Sequence, residues 1–475
     1  MRANTNLSVV DAQTRLLQSW KQLATVLSEF LSQDSALQPS LAKAAEVCLS
    51  ANAQANLDEP GMADVLQTRA ELAFVLLSKL VKSKSSEPVM KEVLPAAWEL
   101  VRSSPVDYDV ATAEEDLRYY RTLLQILFLA VKPHVYLPLS SSNRPARATD
   151  AQDEPKPTLP IATAGMLVEI ISRTIIPGFR ALCGNLHTDL QMAQPADFVL
   201  LTALLQSILS VQGISIAQPQ IADTITRSSV VRGALSLYSW ADQLAQVTPG
   251  QDPVYGEVAA HFLLTLSNVP AICQQMALDG VLAQLSSANL SNYFRKPGGR
   301  GPFDEPVRVF GIWTEAFLPL CLNLLSAVGA PFSGEVAAFL NSFPEQLARA
   351  EDAFKSEMPS YRRRPHTGEL SLSLVREAKS LIMISQILQS DIARAAAEGL
   401  NAADVPLLDY DLGNARAELE RLDRTQRATV EKIVATNERE VSLARQTAEW
   451  GSSWDNVLQG LVVREVKKCL ALLGE

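Results

Sequence analysis

A chain of 475 residues, 47% of them hydrophobic, is too long for one core of ordinary size and too apolar to be disordered, so it folds as several domains or as one extended array. A net charge of -10 and a pI near 5.2 leave no overall basic balance of the kind non-specific phosphate binding needs, and direct nucleic-acid binding is not expected. The five cysteines, Cys48, Cys183, Cys273, Cys321 and Cys469, are odd in number and spread through apolar stretches, the pattern of reduced, buried thiols.

The opening, MRANTNLSVVDAQTRLLQSW, holds no apolar run of signal-peptide length and turns amphipathic at once, so a cytosolic or nuclear place is expected. A period near 3.6 then dominates: Leu16, Leu17, Trp20, Leu23 and Leu27, next Leu72, Val75, Leu76 and Leu80, later Leu123, Leu124, Leu127 and Phe128. Period-two alternation is almost absent. The pattern predicts an all-α chain with helices near 11–32, 39–53, 61–82, 88–101, 110–131, 161–186, 196–214, 219–247, 254–288, 307–328, 333–356, 369–398, 411–449 and 452–473. Asp107-Tyr-Asp109 and Asp409-Tyr-Asp411 stand directly before long helices, where carboxylates satisfy free N–H groups better than they would hold a metal.

Residues 138–160, PLSSSNRPARATDAQDEPKPTLP, carry five prolines and no aromatic side chain and read as a disordered insertion. Cys183 and His187 are four apart, but a zinc site needs a third ligand and none lies near in sequence. Three stretches without charge, 198–222, 258–278 and 316–334, are broken by glutamine, asparagine, histidine and proline, which favours buried helices over membrane spans. Residues 295–306, RKPGGRGPFDEP, form a shorter loop. Its Gly298 to Gly301 lack the Lys-Ser/Thr of a phosphate loop and read as a flexible turn.

FLPLCLNLLSAVGAPFSGEVAAFLNSFPEQLARA, from Phe317, is apolar around most of a helix, with Glu315, Asn323 and Ser326 confined to an arc of about 80°. Such a helix must be covered on several sides, as the inner helix of a stacked hairpin is. Gly329 and Pro331 end it, Ser333 with Glu335 opens the next, and Ser342-Phe-Pro-Glu345 has the spacing of a capping box. Arg362 to Arg364, the one dense basic run, reads as a solvated loop. Sixteen of the forty-one residues from Asp409 to Glu449 are charged around one narrow apolar stripe, which predicts a long outer helix, followed by a short terminal one up to residue 475. There Trp450, Trp454, Leu458 and Leu461 share a face. In a terminal unit with a neighbour on one side only, they form a candidate dock for a partner's helix. No hydrolase, redox or metalloprotease motif is present, and no enzyme activity and no cofactor are expected.

The whole chain, 1–475, thus reads as one continuous α-solenoid of stacked helical hairpins, HEAT- or armadillo-like, with repeats too divergent to show in the letters. The stretch IWTEAFLPLCLNLLSAVGAPFSGEVAAFLNSFPEQLARAEDAF, residues 312–354, resembles the C-terminal region of the giant inner-ring scaffold nucleoporins of the nuclear pore complex, the one-eighty-eight-kDa type. Helix order from about residue 88 is consistent with it, and a paralogous, larger inner-ring nucleoporin shares the design. The resemblance implies a superhelical, karyopherin-like solenoid and a scaffold role supporting nucleocytoplasmic transport at the nuclear envelope. It also implies docking of a short helix from a linker nucleoporin and weak affinity for Phe-Gly repeats. The same architecture serves soluble transport receptors and HEAT-type adaptors, and membrane tethers or coat subunits.

Overall fold

The computed structural model describes residues 2–31, 36–55, 62–81, 91–135, 159–246, 252–355, 368–397, 407–448 and 454–474. The basic run at Arg362 to Arg364, Trp450, and the insertion up to residue 158 lie outside them. Among the described residues there are helices, turns and three isolated β-bridges, with no strand, as the period predicts. Two compact units divide the chain, Met1–Val230 and Val231–Glu475.

The first unit holds α1 (Arg2–Leu31), α2 (Gln38–Ala53), α3 (Met62–Leu80), α4 (Val93–Arg102), α5 (Glu114–Val131), α6 (Ile161–Asn185), α7 (Pro195–Leu209) and α8 (Gln218–Ser228). Each helix packs on partners close by in sequence: α1 and α2 on α3, α3 and α4 on α5, and α5 on α7. The second unit takes in α9 (Val230–Ala245), α10 (Val254–Ser267), α11 (Pro270–Leu278), α12 (Val281–Ser287), α13 (Val307–Val328), α14 (Ser333–Asn341), α15 (Pro344–Glu351) and α16 (Leu372–Ala397). It closes with α17 (Leu412–Arg424), α18 (Gln426–Val430), α19 (Glu438–Arg445) and α20 (Val457–Gly474). Here α10 and α11 pack on α13, α13 on α16, and α16 on α20. Local contacts of this kind let an apolar helix be covered stepwise by its hairpin partner and by the next hairpin.

One helix in each unit shares an uncommon device. Before Pro177 in α6 and before Pro319 in α13 the helix widens into a π-turn, over Ile171–Ile175 and Ile312–Phe317. The Ile176 and Leu318 amides bond to carbonyls five residues back, Ile171 and Trp313. Proline has no N–H to give and crowds the carbonyl four residues back, so the wider turn absorbs it without ending the helix. Both helices, together with Leu190–Leu209, are long and apolar enough to cross a membrane by length and composition, so their polar interruptions do not disqualify them on that criterion. Within α6 and α13, Ile170, Ile171, Ile175, Phe179, Ile312, Trp313, Phe317 and Leu324 are fully buried in protein.

Around α13 the sequence expectations hold in outline and change in detail. Glu315 and Ser326 face solvent, but Asn323 donates to Ser267 Oγ (2.8 Å) and Asn268 Oδ1 (3.1 Å), pinning α13 to the end of α10. Gly329, at φ +78°, ends the helix. Ser333 does not cap α14; its buried hydroxyl donates to Asp391 in α16. Ser342 and Glu345 form no capping box, because Ser342 Oγ bonds back to the Phe339 carbonyl and Glu345 accepts from Gly298 N.

That last contact also corrects the flexible turn expected over 298–301. Gly298 N donates to Glu345 Oε2 (2.7 Å), Arg300 N to Gln346 Oε1 (2.7 Å), and Gln346 Nε2 returns to the Arg300 carbonyl (2.8 Å). Gly299 sits at φ +63°, and a Cβ there would lie 2.7 Å from the Glu345 carbonyl oxygen. The loop is clamped onto α15.

The long charged helix expected over 411–449 is three helices, α17, α18 and α19. Leu370, just before α16, pairs with the backbone at 432–434 through Leu370 N to Lys432 O (2.9 Å) and Val434 N to Leu370 O (2.8 Å). Asn437 then caps a new start, accepting from Glu440 N. A charge-rich segment with a narrow apolar stripe has little packing to hold it helical, so a tertiary pairing overrides the period.

Leu324 is fully buried and Asn323 pairs with α10, so Leu324→Ala should lower unfolding free energy by about 2–5 kcal/mol and Asn323→Ala by about 1 kcal/mol. Denaturant melts of the two variants check the ranking; equal losses would contradict the assignment of faces.

Candidate functional site

Buried carboxylates tie the helices together. Asp197, near the start of α7 and 3% exposed, accepts from Arg121 Nε and Nη2, both at 2.8 Å, and from the Tyr108 hydroxyl at 3.1 Å. Burial and the Asp197 charge push the Tyr108 hydroxyl well above its usual range, keeping it a donor. Three pieces of the first unit, α5, α7 and the turn at Tyr108, thus meet on one carboxylate.

In the second unit Glu377 of α16, 1% exposed, accepts from Arg349 of α15 and from Trp313 Nε1 (2.8 Å) in the π-turn of α13. Trp313 packs in turn on Phe294 and Phe343. A third carboxylate, Glu440 of α19, is 2% exposed. It accepts from Ser373 N (2.8 Å) at the start of α16 and from Thr436 N and Oγ1 (2.9 Å each), while the Ser371, Ser373 and Thr436 hydroxyls bond among themselves.

The paired aspartates divide. Asp411 caps α17, accepting from Gly413 N (2.8 Å) and Asn414 N (3.0 Å), as expected. Asp107 instead closes a turn through Asp109 N and Val110 N, and the start of α5 is served by Asp116, which accepts from Ala113 N. No group of three or more His, Cys, Asp or Glu able to hold a metal occurs among the described residues. Burial pushes the Cys183 and Cys273 thiols up to about 12 and that of Cys321 further, which leaves them protonated.

Of the four residues expected to form a terminal dock, Leu458 is 2% exposed and belongs to the core, Leu461 is half-buried, and Trp450 lies outside the described residues. Trp454, also half-buried, lies over its own helix: a Cβ at Gly460 would come 3.2 Å from its Cδ1. The end of α20 is tied down as well, its last carbonyls accepting from Gln386 of α16 and Arg416 of α17.

The exposed apolar face is on α1. Val9, Leu16, Trp20, Leu23, Val26 and Leu27 are 38–66% exposed, whereas Val10, Thr14, Leu17, Lys21 and Ala24 are half-buried on the adjoining side. At 100° per residue the centres of the two faces lie about 120° apart, the geometry of a helix built to sit between two neighbours. The sequence marked Leu16, Trp20, Leu23 and Leu27 as a helical period. Their period was right, but which arc of so broad a face is covered depends on tertiary packing.

The sequence pattern of the family described as the nuclear pore protein NUP188 C-terminal domain matches residues 93–473. The chain belongs to this family. It is 31% identical over 484 residues to nucleoporin NUP188 of Chaetomium thermophilum, covering 94% of this chain and 24% of that protein. It is 25% identical over 350 residues to nucleoporin nup184 of Schizosaccharomyces pombe, covering 73% and 21% respectively. The chain therefore spans about a quarter of the length of these relatives. A solved fragment, Nup188(aa1445-1827) from Myceliophthora thermophila, superposes with a TM-score of 0.65 at 28% identity, over 81% of this chain and 98% of the fragment. Membership places the chain at the nuclear pore complex of the nuclear envelope and fits the helical solenoid design.

Removing the Glu440 carboxylate orphans Ser373 N and Thr436 N in a buried site. Glu440→Ala should cost about 1–3 kcal/mol, and Glu440→Gln less because one acceptor survives. Thermal melts of both variants check it; equal, negligible losses would show the contact to be dispensable.

Proposed function

We propose that the chain is a structural segment of the nuclear pore scaffold that holds other scaffold nucleoporins by taking a short amphipathic helix of theirs, and so supports nucleocytoplasmic transport. The observation carrying this reading is the outward stripe of α1, with Trp20 at 56% exposure among five aliphatic side chains. Tryptophan and leucine on one helix face are the anchors that helix-against-helix recognition uses. Family membership favours a pore scaffold over a soluble transport receptor, a HEAT-type adaptor, or a membrane tether or coat subunit, all of which share the architecture. The half-buried pair Trp454 and Leu461 is a second, smaller surface of the same kind. Phe-Gly repeats are a weaker class of partner, whose phenyl rings suit the same apolar stripe. The role is one of binding and support, without catalysis.

The test measures capture of recombinant scaffold nucleoporins of the same organism by the 475-residue chain and its Trp20→Ala variant, with thermal melts of both. An anchoring tryptophan commonly carries 2 kcal/mol or more, so the variant should bind roughly thirtyfold more weakly. Because Trp20 is exposed, its melting temperature should hardly change. Unchanged capture would refute α1 as the docking surface, and loss confined to Trp454→Ala would move it to the second site.

A further inference from the structure

The inner side of α1 differs from every other helix seat in the first unit. None of its described side chains is buried, whereas α2 buries Ala42, Ala45 and Leu49, and α3 buries Val65, Ala70, Ala73 and Leu77. Between α1, α3 and α5 lies a cavity of about 330 Å³ with a polar lining that includes Thr14, Gln18, Gln22, Asp64 and Thr68. Such a space holds water, so much of the seat is wet.

Lys21 reaches across it to one carboxylate. Glu71 of α3 accepts from Lys21 of α1, from Gln67 Nε2 (2.8 Å) and from Arg118 Nη2 of α5 (3.0 Å). Lys21 and Glu71 are 31% and 23% exposed, enough shielding for the pair to count and enough access for salt to weaken it.

We propose that α1 opens as a unit of its own while α2 to α5 stay folded, and that the Glu71 cluster is the latch that holds it closed. Among the described residues the apolar half of the seat, Val10, Leu17 and Ala24, is only half-buried, the low burial of a segment that opens below the global unfolding free energy. Releasing Lys21 leaves Glu71 satisfied by Gln67 and Arg118, and α3 loses nothing it needs.

Acid works in the same direction as salt. Burial pushes the Glu71 carboxyl upward, but hydrogen bonds from Lys21 and Gln67, the Lys21 charge and the Arg118 hydrogen bond outweigh it and leave the group below the ordinary 4.5. Of these, only the Lys21 hydrogen bond and charge are lost when α1 opens, so the carboxyl is lower in the closed state than in the open one, and that share of the stability disappears as falling pH protonates Glu71.

Hydrogen exchange on the full 475-residue chain tests the latch, comparing amides of α1 with those of α3 in the parent protein, Lys21→Gln and Glu71→Gln. The parent should exchange α1 at least tenfold faster than α3. Each substitution, and raised salt in the parent, should speed α1 by about two- to fivefold with α3 unchanged. Common protection of α1 and α3 would overturn the proposal, as would acceleration of both together in Lys21→Gln or no response of α1 to either substitution. Lys21→Gln keeps the test decisive should Glu71→Gln unfold the unit. Partner capture is a separate readout, so failure of the docking surface leaves this result standing.

Discussion

Glu377 is a carboxylate with 1% of its surface exposed, gripped by Arg349 and Trp313 from two other helices. Apolar helix faces attract one another without direction, and a helix such as α13, covered on nearly all sides, could slide or turn against its neighbours at little cost. A buried charge tolerates no such freedom, because displacement by an ångström or two leaves it without partners in a medium that penalises it by several kcal/mol. Around this contact Phe339 and Phe343 pack edge to face on each other and on Phe317 and Phe294, which are tilted against one another. Gln346, one turn before Arg349, clamps the 298–301 loop.

The first unit repeats the arrangement with different residues. Asp197 and Arg121 pair in a two-pronged contact and Tyr108 adds its hydroxyl, so α5, α7 and the turn before α5 are held in one register. Each unit also contains a π-turn ahead of a proline in its long apolar helix, α6 in one and α13 in the other. The combination suits the scaffold role proposed above. Apolar faces give the array its cohesion, and a few directional contacts keep each hairpin from drifting when load or a partner pulls on it.

Much of this was legible in the letters, and the parts that were not share a cause. Helix content, the break at Gly329, the covered faces of α13 and the capping by Asp411 follow from period, glycine and carboxylate placement, all local properties. The splitting of 411–449 into three helices depends on Leu370, more than sixty residues from its partner backbone, and the uses of Ser333 and Glu345 depend on Asp391 and Gly298. Sequence periodicity also cannot tell which of two adjoining apolar arcs is covered. That is why Leu458 proves to be core while Leu16 and Trp20 face solvent.

Paired buried charge, more than apolar area, fixes how the hairpins sit. A double-mutant cycle in denaturant on Arg349→Met, Glu377→Leu and the two combined measures it most directly. Each single change strands a buried group, so each should cost about 3–5 kcal/mol, and the double variant should recover most of that loss, giving a coupling of several kcal/mol. Single losses below about 1 kcal/mol that simply add in the double variant would contradict the claim and leave apolar packing alone to set the register.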